Sequence, residues 1–208
     1  MAMGVLSSHT LTPAAPEILL FADDFATYSG RWTEAETAKA VVAYHDQALH
    51  IRVVSPGVAA WSLPDFRLVS AAFRVRVAVR FREGSDDGLS GLVLDYGGED
   101  GLLAVAISRG GDVRVLRRQG DAWSDQTPAE FSRATSERFE GLVMLRVDVR
   151  GDALKVFLND VPVGEMPLDQ PLRGSALGLM ARAGRGYVDV TFDDFAVIAL
   201  DSREGQGS

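Results

Sequence analysis

Two acidic pairs stand near opposite ends of the chain, Asp23-Asp24 within Phe21-Ala22-Asp23-Asp24-Phe25 and Asp193-Asp194 within Phe192-Asp193-Asp194-Phe195. Neighbouring residues of a strand face opposite sides, so each pair offers one carboxylate to either face. If the two end strands pair, the oxygens converge. Hard oxygen donors suit Ca²⁺, which takes about six to eight of them, so a structural calcium held by Asp23, Asp24, Asp193 and Asp194 is the metal site to expect. The competing reading makes these acids strand caps, acceptors for loop hydrogen bonds or partners of arginines.

A second chemistry comes from cations. Arg74, Arg76, Arg80 and Arg82 recur along one segment at mostly two-residue spacing, and a row of that kind suits sulfated or carboxylated glycans through bidentate contacts. Alternation alone also requires polar residues at outward positions, and cross-strand ion pairs with acids such as Asp148 or Asp189 would account for the same row. Trp61, Tyr96, Trp123 and Tyr187 are candidate platforms for a sugar ring, against the reading that they pack in the core or along a sheet edge. Trp123 is the best placed, since Asp121, Ser124 and Asp125 flank it with hydrogen-bonding groups. The expected ligand-binding residues are thus Trp61, Tyr96, Trp123, Arg74 and Arg76.

Catalytic signatures are missing from the sequence. No Glu-x-Asp-x-x-Glu or Glu-x-Asp-x-Glu run offers two carboxylates to one face of a strand, and no Gly-x-Ser-x-Gly elbow occurs. The three histidines, His9, His45 and His50, do not form a metal-binding spacing. With no cysteine there is no disulfide framework and no thiolate centre. Acidic residues outnumber basic ones by 29 to 21, and the net charge of -8 disfavours generic binding to nucleic acid or anionic membranes.

The elements that must position these groups read as strands almost throughout. Between Ala71 and Phe81, Phe73, Val75, Val77, Val79 and Phe81 share one face while arginines take the other. Ala40–Tyr44 and Leu49–Val54 form a hairpin about Asp46-Gln47; Gly97–Gly101, Gly110-Gly111-Asp112, Gly120-Asp121, Gly151-Asp152 and Asn159-Asp160 mark further turns. Thr127–Glu140 is a long connection without an apolar stripe. No run approaches the roughly 18 apolar residues of a spanning helix, and the first 20 residues lack the basic start and apolar stretch of a secretory signal. The chain as given reads as soluble and uninserted in a membrane, its native compartment open and extracellular only if a leader has been removed.

The order of four stretches resembles the concanavalin A-like, laminin G-like jelly-roll domains found in many bacterial proteins. They are Phe21-Ala22-Asp23-Asp24-Phe25 with Trp32; Gly91–Tyr96 followed by Leu102–Ser108; Leu145–Gly151 with Val156–Asp160; and Gly178–Ala181 before Phe192-Asp193-Asp194-Phe195. Asp160 stands where the family often has Gly, and Asp tolerates the same left-handed turn. The resemblance implies an all-β, two-sheet antiparallel jelly-roll sandwich over residues 18–200, with adjacent terminal strands, one concave sheet and often a structural calcium. Residues 1–17 read as a flexible arm and 201–208 as a tail. The functional expectation is a non-catalytic module for carbohydrate or a protein partner. The alternatives are a structural or assembly domain without a small ligand and a glycan-processing hydrolase.

Overall fold

The computed structural model describes residues 17–98, 101–131, 138–169, 172 and 176–200; the expected arm, apart from Glu17, and the tail lie outside them. In chain order the strands are β1 (Ile18–Asp23), β2 (Ala35–Glu36), β3 (Ala40–His45), β4 (Ala48–Val53), β5 (Ala59–Ser62), β6 (Ala72–Gly84), β7 (Leu89–Tyr96), β8 (Leu102–Ser108), β9 (Val113–Gln119) and β10 (Ala122–Asp125). They continue as β11 (Leu142–Arg150), β12 (Ala153–Leu158), β13 (Val161–Pro167), β14 (Gly178–Arg182) and β15 (Val188–Ala199). A nine-stranded sheet runs β13-β12-β11-β6-β15-β4-β3-β2, with β1 also paired to β15, and a six-stranded sheet runs β10-β9-β8-β7-β14-β5. This is the expected antiparallel jelly-roll sandwich.

Alternation builds the core. Phe73, Val75, Val77, Val79 and Phe81 of β6 are at most 5% exposed and face Leu92, Leu94, Leu103, Val105 and Ile107 of the six-stranded sheet. Their neighbours Arg76, Arg80 and Arg82 remain exposed on the outer side. The turns carry the chemistry the sequence demands: Asp46 and Gln47 have φ of 50° and 59°, Asn159 and Asp160 of 48° and 65°. Two consecutive positive φ values define the two-residue turn whose twist matches its flanking strands, and Asp160 fills the glycine position as expected. Sequence reading missed β2 and the isolated bridge between Trp32 and Pro64, both too short to show a period.

The strand β15 is the axis of the larger sheet. Val188–Phe192 pair with β4, Phe195–Ala199 with β1, and nearly the whole strand pairs with β6 on its other side. Strict alternation would set Phe192 and Phe195 on opposite faces, yet both are buried in the core. The register shift against β6 between Asp193 and Ala196 resolves this, because an inserted residue resets the phase. Asp194 takes φ of 49° there and donates its N–H to Asp193 Oδ1 at 2.8 Å.

Asp23 ends β1 as a hub. Its Oδ1 accepts the Phe25 N–H at 2.9 Å, and Oδ2 accepts Ser29 Oγ at 2.8 Å, Trp32 Nε1 at 3.0 Å and Tyr44 Oη at 3.3 Å. The donors belong to a ring cluster in which Phe21, Phe25, Trp32 and Phe195 are at most 4% exposed. Removing the carboxylate leaves the buried indole N–H without its acceptor, whereas Asp24 accepts the exposed Ala26 N–H at 3.1 Å. Asp23→Ala is expected to cost roughly 2–4 kcal/mol and Asp24→Ala less than about 1 kcal/mol, measured by urea unfolding of each variant.

Candidate functional site

The end-strand acids do not form the expected calcium cage. Among the described residues no group of three or more His, Asp or Glu side chains is placed to hold a metal ion. Asp23 has given both oxygens to four protein donors, and Asp193 gives Oδ1 to the backbone N–H of Asp194 in the bulge. Burial, with the charges of Asp194 and Asp24 adding to it, raises the Asp193 carboxyl above the usual carboxylate range against the opposing hydrogen bond from Asp194. The acidic pairs instead mark where β1 ends and where β15 changes partners.

Arg74 and Arg76 lie on the outer side of the nine-stranded sheet, away from Trp61, Tyr96 and Trp123. Arg74 binds Asp148 through Nε and Nη2 at 2.8 and 2.9 Å and Glu17 through Nη1 at 2.7 Å, so its fork is committed within the chain. Further along that face a depression of about 640 Å³ holds Arg52, Arg80, Arg82, Glu83 and Asp189. Its charges largely answer one another: Asp189 is 2.7 Å from His50 and 3.8 Å from Arg52. Tyr187 stands nearby with its hydroxyl donating to Glu83 at 3.0 Å.

The other three aromatics meet on the outer side of the six-stranded sheet. Trp61 comes from β5, Tyr96 from the end of β7 and Trp123 from β10, all half-buried. Trp61 and Tyr96 have ring centroids 6.1 Å apart. Beneath the rings lies an apolar floor: Val93, Leu102, Ala104 and Met180 pack with Trp61, Tyr96 and Trp123, and Leu89, Ala106 and Leu116 pack with Trp123. These residues alternate with the core residues of β7 and β8, so this floor is on the far side of the sheet from the core.

Two arginines cross this face. The Arg118 guanidinium of β9 sits 5.2 Å from the Trp61 ring of β5, and that of Arg182 from β14 sits 5.6 Å from the Trp123 ring of β10. Three strands separate the members of each pair, four strand spacings or about 19 Å in a flat sheet. Side chains stand roughly perpendicular to a sheet, so such contacts require the sheet to curl toward its outer side. The curl makes that side concave, and the two Arg–Trp pairs roof the floor below.

One end of the concave face opens as a groove of about 260 Å³, lined among others by Ser108, Asp112, Arg114, Trp123, Asp125 and Arg182. Arg114 lies 3.4 Å from Asp125 and 3.7 Å from Asp112. Asp87 closes one rim, receiving the Arg185 backbone N–H at 3.0 Å and guanidinium at 2.9 Å. Hydrogen bonds from Ser85 and then Arg185 pull the Asp87 carboxyl down to about 2. A ring platform beside carboxylates, hydroxyls and guanidinia is an arrangement that stacks on a sugar ring and hydrogen-bonds its hydroxyls. Sequence reasoning found Trp61, Tyr96 and Trp123 but missed Arg114, Arg118 and Arg182. The alternation of Arg114, Leu116 and Arg118 was visible; the adjacency of β14 to β7 was not, because these strands lie far apart in sequence.

No family model and no curated protein matches the chain, but solved structures share its fold. Carbohydrate-binding module CBM66 from Bacillus subtilis superposes with a TM-score of 0.61 at 15% identity, covering 80% of this chain and 94% of that one. A Bacillus subtilis protein of unknown function with a galectin-like fold gives 0.61 at 13% identity over 88% and 98% of the two chains. A prokaryotic beta-1,3-1,4-glucanase (lichenase) from a mouse hindgut metagenome gives 0.60 at 13% identity over 86% and 99%. Identities this low establish the sandwich fold and nothing finer.

Two carboxyls shifted in opposite directions give opposite pH signatures. The stability linked to Asp193, whose folded value is raised, is present at acid pH and lost as pH rises through that value; Asp193→Asn should therefore raise Tm at pH 7, the gain fading toward pH 3. Asp87, with its lowered value, contributes above about pH 4 and loses that contribution as pH falls through about 2. Asp87→Asn should lower Tm at pH 7 by about 2 °C, the loss vanishing in strong acid, as calorimetry across pH would record.

Proposed function

We propose that the chain is a non-catalytic carbohydrate-binding module of concanavalin A-like, laminin G-like type, with the concave face of the six-stranded sheet as its site. The observation that carries this reading is Trp123, half-buried over an apolar floor and bordering a groove with Arg114, Asp125 and Ser108. A pyranose or furanose ring stacked there lays its C–H face on the indole and turns its hydroxyls to the flanking carboxylates and guanidinium. Trp61 and Tyr96, continuing the aromatic surface on the same face, offer positions for further sugar units.

Binding without hydrolysis fits the acids present. A glycosidase needs one carboxyl kept protonated near neutral pH and a second on the opposite side of the scissile bond. Asp87 is shifted the wrong way for an acid, and Asp112 and Asp125 both border the same arginine. The fold likeness to both a binding module and a lichenase is compatible with this reading and does not choose between the two activities.

Calorimetric titration with a panel of oligosaccharides tests the reading. At least one is expected to bind, with Trp123→Ala weakening it about ten-fold or more and Trp61→Ala weakening longer chains more than short ones. Product analysis after prolonged incubation should find the bound sugar intact. Binding that survives loss of both tryptophans would place the site elsewhere, and silence across the panel would favour a structural module.

A further inference from the structure

The groove's charges are unequally committed. Asp87 is held by Arg185, while Asp112 and Asp125 stand on either side of Arg114. Arg182 has no acidic partner among the described residues, and its Nε is buried without a hydrogen-bond partner. Its cross-strand neighbours are Leu89 and Ala59, which supply no side-chain acceptor, and among the described residues it is the face of Trp123 that answers its charge. A cation over an aromatic ring is attracted, but more weakly than one in a bidentate ion pair. Arg118, in the matching position over Trp61, differs by having Asp121 at 3.3 Å.

Resting on the reading of this groove as a sugar site, we infer that its ligand is an acidic sugar, whose carboxylate or sulfate is received by Arg182 as the guanidinium leaves the face of Trp123. One movement accomplishes two things. It uncovers the platform on which the sugar ring stacks, and it brings a planar fork of donors to the edge of that ring. A neutral sugar would displace the guanidinium and give it no anion in return. The formal charges of Asp87, Asp112 and Asp125 balance those of Arg114, Arg182 and Arg185, so no net field draws anions to the groove. The preference therefore resides in a directional contact at one residue, and its dependence on salt is shallow. Acidic-glycan chemistry was expected of Arg74 and Arg76; Arg74 is satisfied within the chain, whereas Arg182, on the opposite sheet, is a buried-Nε arginine with no carboxylate partner among the described residues.

Matched pairs of probes separate charge from shape. Oligogalacturonides are titrated beside their methyl esters, and a sulfated carrageenan oligosaccharide beside its desulfated form, so the two arms distinguish carboxylate from sulfate. In at least one arm the charged member is expected to bind about ten-fold or more tightly than its neutral counterpart. Arg182→Gln should erase that difference by lowering the charged probe to the neutral level, and Arg182→Lys should restore only part of it, since a point charge replaces a fork. Arg76→Gln, on the far sheet, should leave the preference intact, and circular dichroism with thermal melts confirms that each variant is folded. Equal binding of charged and neutral members overturns the inference while the sugar-binding reading stands. A preference that survives in Arg182→Gln overturns it as well. If no member of either pair and no neutral oligosaccharide binds, the sugar-binding reading fails first and takes the inference with it.

Discussion

The single inserted residue in β15 governs how this sandwich is put together. One strand must serve β6 along almost its whole length, β4 over its first half and β1 over its second. A regular strand could not present both Phe192 and Phe195 to the core on either side of that exchange. The bulge at Asp193-Asp194 resets the phase, and the left-handed φ of Asp194 is one that a short polar side chain tolerates. On the other side of the exchange Asp23 gathers a turn, an indole and a tyrosine around one carboxylate. The paired acids are thus answers to a topological problem, and their resemblance to a metal cage is a by-product.

Much of this was legible in advance because period-two alternation is a local signal. The turns Gly151-Asp152 and Asn159-Asp160 separate β11, β12 and β13 where the sequence places them, and the arginine row of β6 faces outward as its spacing implies. Turn chemistry was equally plain at Asp46-Gln47 and Asn159-Asp160. What could not be read was anything set by pairing between distant strands. Trp61 and Trp123 were recognisable as candidates, but their convergence depends on the order β10-β9-β8-β7-β14-β5, in which β14 and β5 join from remote parts of the chain. The same cause hid Arg118 and Arg182. The calcium expectation is not met among the described residues for a different reason: Asp23, Asp24 and Asp193 each give an oxygen to a donor within the chain.

The curled sheet ties shape to chemistry. Curling brings side chains from opposite flanks together over an apolar floor that a flat sheet would leave open to water. Met180 and Ala104 are fully buried although they face away from the core, covered by rings and guanidinia. Contiguous apolar surface left bare invites association, and here cations cover it. The covering groups are themselves held by modest forces, so the face can be both protected and accessible.

The pairing of β1 with the last strand carries a mechanical consequence. Ile18 lies opposite Ala199 and Asp23 opposite Phe195, so the start of the first strand and the end of the last lie side by side. A force drawing those ends apart loads the ladder one bond pair at a time, as a zipper is opened, rather than shearing all of it at once. The peel would run inward past Phe21 and stop at Asp23, where four donors share the load. The domain is therefore soft at its entrance and firm one strand in. Tension transmitted through its ends would strip β1 from the nine-stranded sheet while the curled sheet opposite kept its strand order.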